Sequence, residues 1–154
     1  MLQQIHEWKT RGEKIVFTNG VFDILHVGHV SYLKSAAELG TKLVVGLNSD
    51  NSVRTLNKGA ERPINPEWAR KTILESLKFV DAAIIFNENT PLELIKEIKP
   101  HIIVKGGDYN PKESDVNSKT YIVGSKECME WGGVVVSIPL TEGFSTTSIV
   151  EKLK

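Results

Sequence analysis

Two histidines separated by Val27 and Gly28 are the residues of this chain whose types and spacing point most directly to chemistry. In His26-Val27-Gly28-His29 the imidazoles are three residues apart, so in a helix they stand on adjacent turns, where ring N–H groups can donate to phosphate oxygens. The residues ahead of them run from the apolar Ile15, Val16 and Phe17 into Asn19-Gly20, followed by Val21, Phe22 and Asp23. An apolar strand, a turn and a helix start bring backbone N–H groups and a positive dipole end to one point, the natural arrangement for an anion. Gly28 removes a side chain where a ligand would approach the backbone. An imidazolium is misplaced at a positive helix end, and an anion lying between the rings accounts for both histidines. The stretch is expected to be a nucleotide-phosphate site.

Other stretches can complete such a site. Ser145-Thr146-Thr147 begins the final helical pattern; capping needs one hydroxyl, and three in a row suit triphosphate oxygens. Lys105-Gly106-Gly107-Asp108 breaks the chain directly after an apolar run, and Asn48-Ser49-Asp50 does the same after another. Ligands of open α/β sheets bind outside such strand ends. Cations for phosphate charge are available at Lys42, Arg54, Lys58, Arg62 and Arg70. Asp23 can either orient the turn or bond an acceptor hydroxyl. Cys128, beside Met129 and Trp131, reads as core.

The elements that must position these residues follow from periodicity. Helical spacing of Leu2, Ile5 and Trp8 predicts a helix over residues 2–11 ending at Gly12, and a second pattern runs from His29 to Leu39 with Gly40 as its cap. Continuous apolar runs at Ile15–Phe17, Lys42–Leu47, Ala82–Phe86, His101–Val104 and Val134–Ile138 predict five buried strands. Helices are expected after Pro66, over Pro91–Ile98, near Ser125–Trp131 and over Ser145–Leu153, with a basic loop between Asn48 and Pro66. Strands alternating with helices predict an α/β fold: a Rossmann-like, doubly wound, mainly parallel five-stranded sheet with helices on both faces. One domain over residues 1–154 is the expectation for this length. The Gly-x-Gly-x-x-Gly fingerprint and the P-loop are both absent, so another device must hold the phosphates.

Composition narrows the class. Lys plus Arg and Asp plus Glu each number 19, giving a net charge of zero and no basic excess for nucleic acid or a membrane surface. No segment approaches the roughly 20 apolar residues of a membrane span, and the start of the chain lacks the apolar core of a secretory signal. The single cysteine forms no internal disulfide or cysteine metal cluster. A cytoplasmic setting is expected, with neither nucleic acid nor membrane as partner. No residue pattern marks a protein metal site.

Asn19 through His29 resembles the signature of the cytidylyltransferase-like nucleotidyltransferases, and the likeness runs from about Lys14 to Leu153. Val104-Lys105-Gly106-Gly107-Asp108-Tyr109, Glu142 through Thr147, and Asn48-Ser49-Asp50 followed by Arg62 through Pro66 are most similar to the D-glycero-β-D-manno-heptose 1-phosphate adenylyltransferases. The resemblance implies transfer of AMP from ATP to a sugar 1-phosphate, with release of pyrophosphate and formation of ADP-heptose for lipopolysaccharide and related glycans. It implies a domain standing alone, without the sugar-kinase domain fused to it in some bacteria, and a homodimer. It implies His26, His29, Lys58 and Arg70 as catalytic residues. Nucleotide binding would fall to Asn19, Gly20, Val21, Phe22, Gly28, Lys105, Gly106, Gly107, Asp108, Thr141, Ser145, Thr146 and Thr147. Substrate binding would fall to Asp23, Asn48, Asp50, Arg54 and Arg62. Mg²⁺ is expected as cofactor, held mainly by ATP phosphates and water. Glycerol-3-phosphate cytidylyltransferases share the histidine signature, but Leu140 stands where they carry an arginine. A nucleotide-binding module without catalysis is a further alternative. Lys112–Thr120 is longer than the family's usual connection and could cover the site, meet a partner or form idle surface.

Overall fold

The computed structural model describes residues 1–154. Five strands, β1 (Ile15–Gly20), β2 (Lys42–Asn48), β3 (Ala82–Phe86), β4 (Ile102–Gly106) and β5 (Val134–Ile138), form one sheet in the order β3-β2-β1-β4-β5. Every pairing is parallel, from Ile15 opposite Lys42 to Gly106 opposite Ile138. The connections are helical: α1 (Leu2–Thr10) precedes the sheet, followed by α2 (Val27–Ala37), α3 (Asp50–Arg54), α4 (Glu67–Glu75), α5 (Leu92–Ile98), α6 (Ser125–Glu130) and α7 (Thr146–Leu153).

Strand alternation divides the core into two layers. Ile15, Phe17, Val44 and Ile103 face one layer with Ile5 and Trp8 of α1, Leu94, Ile95 and Ile98 of α5, and Cys128 of α6. Val16, Leu43, Val45, Leu47, Ile102 and Val104 face the other, against Leu33 and Ala36 of α2 and Leu74 of α4. The sheet is thus doubly wound, with helices on both faces as the apolar runs predict. Successive strands step outward in one direction from β1 to β3 and in the other from β4 to β5. The adjacent ends of β1 and β4 therefore flank the point where the winding reverses, and a crevice opens outside their carboxyl ends.

The boundaries correct several expectations where they matter for that crevice. Asn19 and Gly20 are the last residues of β1, paired with Gly46 and Leu47, rather than a turn. The turn falls at Val21–Leu25, where Phe22 takes a left-handed φ of 49° that costs a non-glycine residue energy and must be imposed by its surroundings. The helix after it begins at Val27, two residues earlier than the apolar period suggests, because His26 serves as its cap. Asp50–Arg54 is a short helix capped by Ser49, not loop. The long 107–124 connection closes on itself, with Asn110 N–H donating to Thr120 O at 2.8 Å. None of residues 112–120 lines the crevice. No helix is long and apolar enough to cross a membrane.

Candidate active site

The histidine pair is built by helix capping. His26 has extended backbone, and its Nδ1 accepts the N–H groups of Gly28 (3.1 Å) and His29 (3.4 Å). His29 Nδ1 in turn accepts the N–H of His26 at 3.4 Å, a reciprocal capping box made from two imidazoles. The rings stack at 3.8 Å between centroids with a 22° interplanar angle, and Phe22 meets His29 edge-on at 5.1 Å. A nitrogen that accepts carries no proton, so this geometry selects the neutral tautomer with the proton on Nε2 in both rings. Burial lowers the His26 pKa, and burial with the neighbouring ring lowers that of His29 to about 4. The pair is neutral and offers two Nε2–H donors. The N–H groups of Gly28 and His29, expected to meet an anion directly, are taken up by the ring of His26. Gly28 is required for the same reason, since a Cβ there would lie 2.9 Å from that ring.

These donors line a cavity of about 530 Å³. On its floor are Asn19, Gly20, Val21, Phe22 and Asp23 from the end of β1 and its turn, with Gly28 at the helix start. Lys105, Gly106 and Asp108 line it from the end of β4, and Thr141, Ser145, Thr146 and Thr147 from the approach to α7. Asn48, Lys58 and Arg62 line it from the β2 side. The three hydroxyls at the start of α7 have separate situations. Ser145 Oγ accepts the N–H of Ser148 at 3.0 Å, and Thr146 Oγ1 donates to Ile24 O at 3.2 Å, tying the helix to the histidine turn. Thr147 has no protein partner for its hydroxyl.

Four expected site residues stand elsewhere. Arg70 is wholly buried, donating to Asn65 O (2.9 Å), Val21 O (2.9 Å), Asn48 O (2.8 Å) and Asp50 Oδ1 (2.8 Å). Four of its five donors are thereby occupied. It ties the β1 turn to the β2 end instead of facing the cavity, and Asp50 is its counter-charge rather than a substrate ligand. Arg54 donates to Asn51 on the surface at 2.8 Å. Gly107 backs onto Pro139, where an added Cβ would make ordinary contact at 3.4 Å.

Of the two readings of Asp23, the geometry supplies the orienting one. Its carboxylate accepts from Arg62 Nε (2.6 Å), Ile64 N (2.8 Å) and Asn65 N (2.8 Å) while almost fully buried. Burial alone would raise its pKa, but these donors and the Arg62 charge hold it below the ordinary value. Lys105 is the opposite case. Its Nζ reaches Asn19 O at 3.3 Å and stands 4.8 Å from the centroid of the Tyr109 ring, with no carboxylate in ion-pairing reach. Burial and the charge of Lys58 lower its pKa to about 8. Burial and Arg62 also lower that of Lys58, against the opposing pull of Asp23.

The cavity is completed by residues that type and spacing did not single out: Tyr32, Leu56, Asn89, Thr90, Pro91, Tyr109, Val123, Leu140 and Phe144. Tyr32 shares a 2.7 Å hydrogen bond with Thr18. Leu140 packs over Gly106, where a Cβ would collide with its side chain at 2.8 Å. The signal available for Asn89 and Thr90 was their position just past β3, the same criterion that drew attention to Asn48.

A doubly wound parallel sheet with neutral histidine donors and uncompensated lysines around its switch-point crevice defines an anion-binding α/β protein of the nucleotide-handling kind. The chain belongs to the cytidylyltransferase-like family, whose model matches residues 17–152. It is 47% identical over 152 residues to the bifunctional protein HldE of Koribacter versatilis, covering 99% of this chain and 29% of that one. With HldE of Nitratiruptor sp. it shares 54% identity over 144 residues, 94% of this chain and 28% of the relative. The chain thus spans less than a third of the length of these relatives. Among solved structures, a lipopolysaccharide core biosynthesis protein from Thermoplasma volcanium superposes with a TM-score of 0.64 at 33% identity, covering 84% of this chain and 98% of that one. Pantoate-beta-alanine ligase from Francisella tularensis gives a TM-score of 0.63 at 16% identity over 99% of this chain and 71% of its own, a likeness of fold alone.

Proposed function

We propose that the chain is an adenylyltransferase that transfers AMP from ATP to a sugar 1-phosphate, the acceptor being heptose 1-phosphate, with pyrophosphate leaving. The observation that carries this reading is the pair of neutral imidazoles whose Nδ1 atoms are occupied, leaving both Nε2–H groups to donate into a cavity that also holds Lys58 and Lys105. An acceptor phosphate is already ionised at neutral pH, so attack on the α-phosphorus requires no strong base. Catalysis becomes positioning and charge stabilisation. His26 and His29 donate to the α-phosphoryl oxygens, Lys105 and Lys58 offset the phosphate charge, and the start of α7 accommodates the triphosphate. Asp23 and Arg70 hold the turn that carries the histidines. The HldE relatives and the lipopolysaccharide core protein support a surface-glycan sugar as acceptor.

Mg²⁺ fits as a companion of ATP. No three His, Cys, Asp or Glu side chains come together as a metal cage, and Asp23 is committed to Arg62. The ion would be held by phosphate oxygens and water, where its charge would assist the departure of pyrophosphate.

Pyrophosphate release measured with ATP or CTP against heptose 1-phosphate and glycerol 3-phosphate tests the proposal. Release should require ATP and the sugar phosphate; release only with CTP and glycerol 3-phosphate assigns the cytidylyltransferase reading, and nucleotide binding without release assigns a binding module. His26→Ala and His29→Ala should each lower turnover by about 10²–10³-fold. Near-normal turnover in either variant removes that histidine from the mechanism.

A further inference from the structure

We propose that the turn after β3 reads the hydroxyl groups of the acceptor, with Asn89 and Thr90, assisted by Asn48, selecting the phosphate ester of an uncharged polyol. The inference rests on the nucleotidyl-transfer reading above and divides the crevice between its two substrates.

The two walls of the cavity differ in chemistry. On the β4–β5 side, Tyr109, Val123 and Leu140 present apolar surface beside Gly106, suited to a flat base. On the β2–β3 side the lining carries the polar groups of Asn48, Asn89 and Thr90 beside Leu56 and Pro91, together with Lys58 and Arg62. Carboxamides and hydroxyls both donate and accept, which is what a run of sugar hydroxyls requires.

The turn is also fixed in place. Glu88 O accepts from Ser52 Oγ at 2.7 Å, Pro91 is buried, and Pro91 O accepts the N–H of Ile95 at 2.9 Å. Between these anchors the Asn89 carboxamide has no protein partner. Thr90 Oγ1 receives only a long 3.5 Å contact from Leu92 N, so its hydroxyl proton is free to donate. Asn48 Nδ2 is occupied by Ser52 Oγ at 3.0 Å, leaving its carbonyl oxygen without a protein donor. A rigid turn carrying unpartnered polar groups costs a ligand little ordering entropy.

Charge favours an acceptor that carries no cation. Of the acidic side chains that line the cavity, Asp23 is paired with Arg62 at 2.6 Å and Asp108 stands on the β4 side, while Glu88 of the turn does not line the cavity and Asp50, also outside the lining, is paired with Arg70 at 2.8 Å. Neither Asp23 nor Asp50 is free to receive an ammonium group, while Lys58 is available to the acceptor's phosphate.

Steady-state pyrophosphate release by wild type, Asn89→Ala, Thr90→Val and the double variant tests this, together with calorimetric binding of a non-hydrolysable ATP analogue. The double variant should raise the KM for the sugar phosphate about tenfold or more, as expected for losing two hydrogen bonds, with the nucleotide Kd unchanged. Thr90→Ser, which keeps the hydroxyl, should remain near wild type. A double variant with unmoved sugar-phosphate KM, or one that loses nucleotide affinity while Thr90→Ser does not, overturns the division of the crevice. A wild type that releases no pyrophosphate with any sugar phosphate overturns instead the reading on which the inference rests.

Discussion

Arg70, fully buried on α4, and Lys105, half-buried at the end of β4, are two cations beside one crevice, yet the chain treats them oppositely. Arg70 meets three backbone carbonyls and the Asp50 carboxylate, all within 2.9 Å. Lys105 has one long bond to Asn19 O, the face of Tyr109 and another lysine for company. A guanidinium saturated by protein acceptors is a brace, and its planar fork suits it to joining several elements at once. A half-buried ammonium without a counter-ion is unfavourable unless a ligand supplies one. One positive charge thus braces the site, and the other meets no protein anion.

Arg70→Ala should show the largest effect and should act on folding. Removing it strands three carbonyls and the Asp50 charge, at a cost of about 3–5 kcal/mol. That is a fall in Tm of about 2–4 °C for each kcal/mol in a chain of this size, measurable by calorimetry. A variant of unchanged Tm that has lost only turnover would return Arg70 to the catalytic role first expected of it.

Lys105→Ala should do the reverse. Its Tm should be no lower than wild type, since a half-buried charge without a counter-ion is relieved, while kcat/KM for ATP should fall by about 10²–10³-fold. Unfolding of this variant, or activity within a factor of two of wild type, would collapse the distinction between the two cations. Lys58→Ala is expected to be milder. Lys58 is exposed at the rim, so about a tenfold loss is the expected scale. The informative readout is indirect: Lys58 depresses the Lys105 pKa, so its removal should move the alkaline limb of the pH–rate profile upward.

The same contrast explains what could be read in advance. The five strands and the two-layered core were legible because apolar runs of this length have few other uses in a chain without membrane spans. Both faces of the sheet fill as the pattern requires. The histidines were legible as donors from their spacing. Their neutrality was not, because it depends on each Nδ1 accepting from the other residue's segment. Arg70 reads as a phosphate ligand because a match of residue type places a guanidinium near phosphates without revealing that four acceptors from three separate segments converge on it. Asp23 was left between two roles for the same reason: Arg62, Ile64 and Asn65 are 39 to 42 residues away in sequence. Tyr32 and Val123 reach the cavity only through tertiary packing, and nothing local marks them.

The smallest effect carries the sharpest signature of an unpaired ammonium, because stability and activity should move in opposite directions with pH. Lys105 has a folded pKa near 8 against an ordinary value of 10.5. Between those values the unfolded chain binds more protons than the folded one, so this lysine's contribution makes folding more favourable as pH rises through the window. Its charged form, needed for phosphate, is lost over the same interval, and kcat/KM should fall about tenfold for each unit above pH 8. The difference in stability between wild type and Lys105→Ala, followed by denaturant titration from pH 7 to 10, should therefore shift in favour of wild type by on the order of 1 kcal/mol. A carboxylate partner for Lys105 would reverse that sign, since a paired lysine holds a raised pKa and loses its stabilisation as pH climbs. The direction of the change alone thus decides whether Lys105 is a second brace like Arg70 or a charge held in reserve for the nucleotide.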